Sequence, residues 1–536
     1  MRIADVIARR LYEAGVRYAF GVPGGEVLTL VDALEKAGIR FLLAKHENAA
    51  GFMAEGVWHM TGAPGVLVCT VGPGAANAVN VTANAEQDRV PLIVLTGCVD
   101  AGEAVTYNHQ VFDHTAVFGP VTKASVTMPE KNADALIDKL VRLAMADRPG
   151  PVHIDLPIAV AAKEIADAKP VRRPAPQPSA PAPGDALDAA RAALAKAERP
   201  LIIAGLDVVN QNAAETLAGF ARKFGAPVIA SYKAKGVLAE DDPLALGGAG
   251  LSPLADTHLK PVIEAADFIL LAGYDPIEMR PGWQNLWDPA EKTVVELLAA
   301  PEYSYMHDAT MTFHAHVGES LEALGDGVEP SATWWDGPLI ADTRSALAGA
   351  FGQNEAWGPA AITTTVRANT PRDAVLTVDS GAHRILASQV WEAQVPHAVL
   401  QSTGLCTMGC ALPLATGAKL AAPDRAVVAF TGDGGLEMVL GELVTLRDLK
   451  LPVIVVVFVD ASLALIEKKQ REMSYGNAGV DMQETDFVAI AEALGGRGVW
   501  CEDRNTLAEA VKTGLTAETF TLCACRIDRQ SYDGRI

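Results

Sequence analysis

Two aspartates at the ends of two apolar runs are the residues of this chain best placed to do chemistry together. Thr431-Gly432-Asp433-Gly434-Gly435 follows a strand-like run and precedes a stretch, 436–449, that reads as one amphipathic helix. Glycines in such a loop let backbone N–H groups approach a phosphate, and the helix N-terminus favours an anion. An aspartate in the same loop can bind a divalent cation that bridges to a diphosphate. Val459-Asp460-Ala461-Ser462 comes 24 residues after the Gly432-Asp433-Gly434 triplet, at the end of the next strong strand. Neighbouring strand ends of a doubly wound sheet converge on one crevice, so two carboxylates there can share one hard cation. Taken alone, the glycine loop is a common strand–helix turn and Asp460 equally suits a helix cap. The spacing is what favours the cation.

The elements that must position these residues follow from the rest of the chain. Its 536 residues exceed a single core, and half of them are hydrophobic, arranged in short runs. No run approaches the roughly 18 apolar residues of a membrane span. The N-terminus reads as an amphipathic helix and carries Asp5 at once, unlike a signal peptide. A net charge of −21 without a basic block argues against nucleic-acid and anionic-membrane surfaces. Seven cysteines, an odd number, fit reduced thiols in a cytoplasmic enzyme, with Cys523 and Cys525 read as core.

Residues 166–184 contain a Pro/Ala/Ser-rich stretch that reads as a linker. Before it, residues 1–165 alternate strand-like and helix-like segments; residues 185–330 restart that rhythm. A less regular stretch with Trp334 and Trp335 opens the last region, 331–536. The expectation is α/β throughout: three doubly wound parallel-sheet domains. The first and third each run a strand into a glycine loop and a helix, which suggests a shared origin.

The Gly432-Asp433-Gly434 triplet and Val459-Asp460 resemble the cofactor motif of thiamine-diphosphate-dependent enzymes, and the resemblance extends over essentially the whole chain. It implies Asp433, Asp460 and the backbone oxygen of Ser462 as ligands of Mg2+. Val459 and Asp460 stand where the motif usually has two asparagines, and the catabolic acetolactate synthases look similar in having Asp at the second place. Phe20-Gly21-Val22-Pro23-Gly24-Gly25 and Lys45-His46-Glu47-Asn48-Ala49-Ala50 are similar to two further family segments. They imply Glu47 as the acid that activates the pyrimidine, with Pro23 and Gly24 near the cofactor. Val71-Gly72-Pro73-Gly74-Ala75-Ala76-Asn77 resembles the loop beside the pyrimidine, which brings in Gly72, Gly74 and Asn77. Gln110 falls where acetolactate synthases and benzaldehyde lyase-like enzymes carry an active-site Gln, and His109 beside it is a candidate proton relay.

On the diphosphate side, Gly381, Ala382 and His383 match a phosphate-receiving loop, joined by Gly432, Gly434, Gly435, Ser462, Leu463 and Ala464. Gly404-Leu405-Cys406-Thr407-Met408-Gly409 resembles the segment that bends the cofactor. Met408 would be its wedge, and the carbonyl of Cys406, at a place usually held by Gly, would accept from the 4′-amino group. Ile466 and Lys469 would line the substrate pocket. Lys469 replaces a Trp of the biosynthetic acetolactate synthases, and a lysine there suits a carboxylate or sulfonate.

The implied activity is acetolactate synthase-like: a 2-oxo acid decarboxylase and carboligase whose cofactor-bound enamine adds to an acceptor carbonyl. Cleavage of a 2-hydroxy ketone, simple decarboxylation and a flavin-using 2-oxo acid oxidase are the alternatives. Gly273-Tyr274-Asp275-Pro276-Ile277-Glu278 is similar to a stretch of the catabolic, FAD-free enzymes, which points away from bound FAD. Similar enzymes pair as homodimers or homotetramers, with Glu47 of one chain facing the Asp433 loop of another.

Overall fold

The computed structural model describes residues 1–166, 176–301, 304, 306–331, 335 and 337–536. Residues 167–175 of the expected linker, and Trp334, lie outside the described residues. The N-terminal sheet contains β1 (Tyr18–Val22), β2 (Arg40–Leu43), β3 (Gly65–Cys69), β4 (Leu92–Cys98), β5 (Ala124–Thr127) and β6 (Val152–Pro157). The central sheet contains β7 (Pro200–Ala204), β8 (Val228–Ser231), β9 (Ala245–Ala249), β10 (Phe268–Ala272), β11 (Thr293–Leu298) and β12 (Met311–His314). The C-terminal sheet contains β13 (Val375–Val378), β14 (Val399–Gln401), β15 (Val427–Gly432), β16 (Val453–Val459), β17 (Arg497–Cys501) and β18 (Thr521–Arg526). All three are parallel and interleaved with helices, the α/β class expected.

The outer sheets share one strand order, β2-β1-β3-β4-β6-β5 and β14-β13-β15-β16-β18-β17. The central sheet runs β12-β11-β10-β7-β8-β9, the order of dinucleotide-binding folds with its reversal between β7 and β10. Covered on both faces, the middle strands are continuously apolar; all seven residues of β16, Val-Ile-Val-Val-Val-Phe-Val, are buried. The N-terminal helix Ile3–Glu13 forms as its pattern predicts, burying Ile3, Val6, Ile7 and Leu11.

The two outer sheets are joined by a helix crossing. The helix Glu47–Thr61, between β2 and β3, lies against Ala411–Ala421, its counterpart between β14 and β15. Glycines make the approach. A Cβ on Gly417 would lie 1.9 Å from the Met53 carbonyl oxygen, and one on Gly56 would lie 2.4 Å from that of Leu414. Cys410 and Leu414 join the hydrophobic cluster of the N-terminal sheet, so one core spans both domains. Among the described residues, no helix is long and apolar enough to cross a membrane.

One expectation on the site side of the fold changes. The stretch after Gly435 is two short helices, Asp433–Glu437 and Glu442–Asp448, rather than one. The break falls at 438–441, where Gly441 passes close over the Lys45 side chain and Met438 turns outward into solvent.

Candidate functional site

Asp433 opens its helix directly from the end of β15, and Asp460 follows the end of β16. Asp433 is buried. Its Oδ1 accepts from Gly434 N at 2.8 Å, and Oδ2 accepts from the N–H groups of Asp460 (3.1 Å) and Ala461 (2.7 Å). Those last two donors point inward because Ala461 takes a left-handed backbone, φ +51°, a strained conformation for a side-chain-bearing residue. Asp460 accepts from Ser462 N at 3.0 Å. Burial, and then the charge of Asp433, push the Asp460 carboxyl up to about 8, and burial raises Asp433 as well. A buried and a half-buried carboxylate in neighbouring loops, with oxygen neighbours, form a donor set suited to a hard divalent cation, which would relieve that repulsion. Among the described residues, no group of three or more His, Cys, Asp or Glu side chains is arranged for a metal. Two carboxylates and a carbonyl would therefore need oxygens from a ligand.

These residues open onto a cavity of ≈ 570 Å³. Gly381, Ala382, His383, Cys406, Met408, Gly432, Gly434, Gly435, Ser462, Leu463, Ala464, Ile466 and Lys469 all line it beside Asp433 and Asp460. Among the described residues, four buried polar atoms in its wall, Ser380 Oγ, His383 Nε2, Arg384 Nε and Ser462 Oγ, lack a partner. Unpartnered buried donors around a cavity are what an anionic ligand would satisfy. Burial, and then the Arg384 charge, lower His383 to about 3, so its ring is neutral; it stacks on Phe458 at 5.3 Å. Residues, glycines and orphaned donors together fit a diphosphate and its cation.

Another part of the cavity wall is formed by Cys406 and Met408, on the loop from Ser402 to Met408, which is held from three sides. Asp379, fully buried after β13, accepts from Gly409 N (2.9 Å), Cys410 N (3.2 Å) and Thr431 Oγ1 (3.0 Å), tying this loop to that of Asp433. Gly435 must be glycine beside it, since a Cβ would lie 2.2 Å from Asp379 Oδ2. Asp88 of the N-terminal domain accepts from Thr403 Oγ1 and Gly404 N, both at 2.9 Å, and pairs with Lys233 of the central domain at 3.0 Å. Arg384 donates to Ser402 O and, at 3.3 Å, to Cys406 Sγ. Cys406 has φ +56°, the left-handed region that glycine enters freely.

The N-terminal candidates form a second cluster. Glu47 begins its helix and is 6% exposed. Its Oε2 accepts from Asn77 Nδ2 at 2.9 Å, while a Cβ on Gly74 would lie 3.2 Å from Oε1. Gly24 abuts Thr70, just ahead of that loop, with Pro23 exposed next to it. Gln110, at φ +61°, lies over Gly72, where a Cβ would meet its carbonyl oxygen at 2.6 Å. His109 is exposed, its ring 6.2 Å from that of Tyr107. None of these residues lines the 570 Å³ cavity of the same chain.

Several residues of the site escaped the sequence reading. Asp379 and Arg384 act through loops brought from distant strands, and Tyr532 closes the cavity wall from the far C-terminus. The buried histidine near Gly72 is His114, whose Nδ1 bonds Asp155 at 2.8 Å and whose Nε2 accepts from Gly72 N at 3.3 Å. Only an Asp or His inside an otherwise apolar strand, as in β6, signals such a network.

Comparisons with known proteins agree with this geometry. Residues 1–117 match the thiamine pyrophosphate enzyme N-terminal TPP binding domain, 187–324 the central domain and 379–525 the C-terminal TPP binding domain. The chain is 30% identical over 533 residues to an acetolactate synthase of Bacillus subtilis, covering 96% of this chain and 91% of that protein. It is 29% identical over 543 residues to the catabolic acetolactate synthase of Raoultella terrigena, covering 98% and 95%. It is also 29% identical over 534 residues to a probable 2-ketoarginine decarboxylase of Pseudomonas aeruginosa, covering 97% and 93%.

Proposed function

The chain belongs to the thiamine pyrophosphate enzyme family, and from that premise we propose a 2-oxo acid decarboxylase and carboligase of acetolactate synthase type. The cofactor, when bound, supplies a nucleophilic carbon and an electron sink for breaking or making a carbon–carbon bond. The observation that carries the reading is the Asp433–Asp460 pair at a cavity whose wall holds every C-terminal candidate.

The chain's own residues divide the work. Asp433, Asp460 and the Ser462 carbonyl hold Mg2+. Gly381, Ala382, His383, Gly432, Gly434 and Gly435 receive the diphosphate, with Leu463 and Ala464 against it. Met408 wedges the cofactor and the Cys406 carbonyl orients it. Glu47 exchanges a proton at Oε1, the oxygen left open when Asn77 holds Oε2. Gly74 packs against the same carboxylate, where a Cβ would lie 3.2 Å from Oε1, so its lack of a side chain leaves that oxygen accessible. Gln110, over Gly72, and His109 face the substrate side. Ile466 and Lys469 border the substrate. No flavin is needed for this chemistry.

We assign 1–165 as the pyrimidine-binding domain, 185–330 as the central domain and 331–536 as the diphosphate- and Mg2+-binding domain. The active centre forms between two chains of a homodimer or homotetramer. Two features support this: the Glu47 cluster and the cavity are separate within one chain, and the N-terminal domain and the cavity both present exposed apolar side chains. Leu28, Leu43 and Phe112 are exposed on the N-terminal domain, and Ile466, exposed as well, lines the cavity. Seven free cysteines suit a reducing cytoplasm. A screen of 2-oxo acids with thiamine diphosphate and Mg2+, with products identified, tests the proposal. CO2 release with a coupled hydroxy-keto product is expected; no turnover and no cofactor binding would refute it.

A further inference from the structure

Two consecutive residues at the start of the Ala382–Val390 helix line the cavity and make different contacts there. His383 turns toward the Asp433 loop, where a Cβ on Gly432 would lie 3.4 Å from its ring. Arg384 instead donates to Ser402 and Cys406. The whole residue is 5% exposed, its Nε is buried without a partner, and it lines the cavity. Among the described residues, no carboxylate comes within ion-pair distance of it. A buried guanidinium held only by a carbonyl and a sulfur is costly unless an anion completes it.

The diphosphate is not assigned to Arg384, because its proposed receiving groups gather around His383 and the Asp433 loop, whereas Arg384 bonds Ser402 and Cys406. A strained residue marks the Arg384 contacts instead. Cys406, at φ +56°, donates to Thr403 O at 3.1 Å and accepts from Arg384, so cysteine and guanidinium hold each other in place. The helix Ala464–Glu472 adds positive charge to the same cavity. Lys468 is paired with Glu472, whereas no carboxylate among the described residues reaches Lys469.

We propose that Arg384 is the anion-recognition residue of the substrate pocket, receiving a carboxylate or sulfonate that the substrate keeps through the reaction. The retained group is favoured over the departing one on energetic grounds. A guanidinium paired with the carboxylate that leaves as CO2 would stabilise the ground state and slow its loss. The anion therefore belongs either to the acceptor or to a second acid group on the donor. Both present the same chemistry to a planar, forked donor. The inference rests on the thiamine-diphosphate reading and deepens it.

The test compares wild type, Arg384→Gln and Arg384→Lys as Mg2+-loaded holoenzymes. One arm offers pyruvate or acetaldehyde as acceptor to a common donor; the other offers 2-oxoglutarate or 2-oxobutanoate as donor. Wild type is expected to prefer the anionic member in at least one arm, which identifies the source of the anion. In that arm the anionic-over-neutral ratio of kcat/KM falls roughly a hundredfold in Arg384→Gln and recovers in part in Arg384→Lys. Calorimetric titration with 2-oxoglutarate and sulfoacetate makes the same comparison without turnover. Cofactor binding, read by tryptophan quenching, separates the two failures. A wild-type chain that binds no cofactor overturns the functional reading and this inference with it. A holoenzyme with no anion preference, or variants that lower both members equally, overturns the inference alone.

Discussion

The first and last sheets are built on one plan and present different acids at their loops. Each has the same strand order, and in each the third strand runs into a glycine loop: Thr70-Val71-Gly72-Pro73-Gly74 after β3 and Thr431-Gly432-Asp433-Gly434-Gly435 at the end of β15. Even the fourth strands end alike, on Val99-Asp100-Ala101 and Val459-Asp460-Ala461. Among the described residues, the Asp100 carboxylate nevertheless accepts only from Ala159 N, whereas Asp460, half-buried, lies beside the Asp433 charge and is raised to about 8. In the first loop a proline stands where the second has its aspartate, and the carboxylate comes instead from Glu47 on the preceding helix, held by Asn77. On the proposed assignment, the same backbone makes a proton-exchanging half and a metal-holding half. What differs is which loop position carries the acid, and how deeply.

The comparison can be broken from either side. The largest effect is expected at the proton-exchanging half. Glu47→Gln should slow C2 proton exchange of bound thiamine diphosphate by about a thousandfold with cofactor still bound. Hydrogen–deuterium exchange by NMR checks this, and an unchanged rate would remove Glu47 from its role. Next, Asp433→Ala should weaken Mg2+-dependent cofactor binding roughly a hundredfold, as read by titration with and without the metal. Retained affinity would refute the ligand assignment. The smallest effect tests the joint between the halves. Gly417→Ala forces a Cβ onto the Met53 carbonyl and should destabilise the chain by about 2–3 kcal/mol, seen as a lowered urea midpoint.

The legible parts of the molecule were those where one segment reveals its own environment. β16 reads directly from seven apolar residues, and Asp433 with Asp460 from their spacing. Short edge strands do not: β5 is half solvated and mixed, Ala-Ser-Val-Thr, and β14, though buried, is only Val-Leu-Gln, too short to show a pattern. β6 is interior yet disguised by His153 and Asp155, which are buried in a network with Thr96 and His114. The amphipathic pattern after Gly435 suggested one helix, because local periodicity does not register the Lys45 side chain packing against Gly441. Arg384 and Asp379 escaped for a related reason. Their partners lie 18 to 52 residues away in sequence, and only the sheet brings them together.

The central claim is that the Glu47 half of one chain and the Asp433 half of another make one active centre. Mixing subunits that carry Glu47→Gln with subunits that carry Asp433→Ala tests it directly. Each parent is inactive, but a mixed dimer would contain one centre with both carboxylates intact. Random pairing in equal amounts should then restore about a quarter of wild-type activity. Activity no higher than that of the parents, in a preparation shown to contain mixed dimers, would contradict the claim.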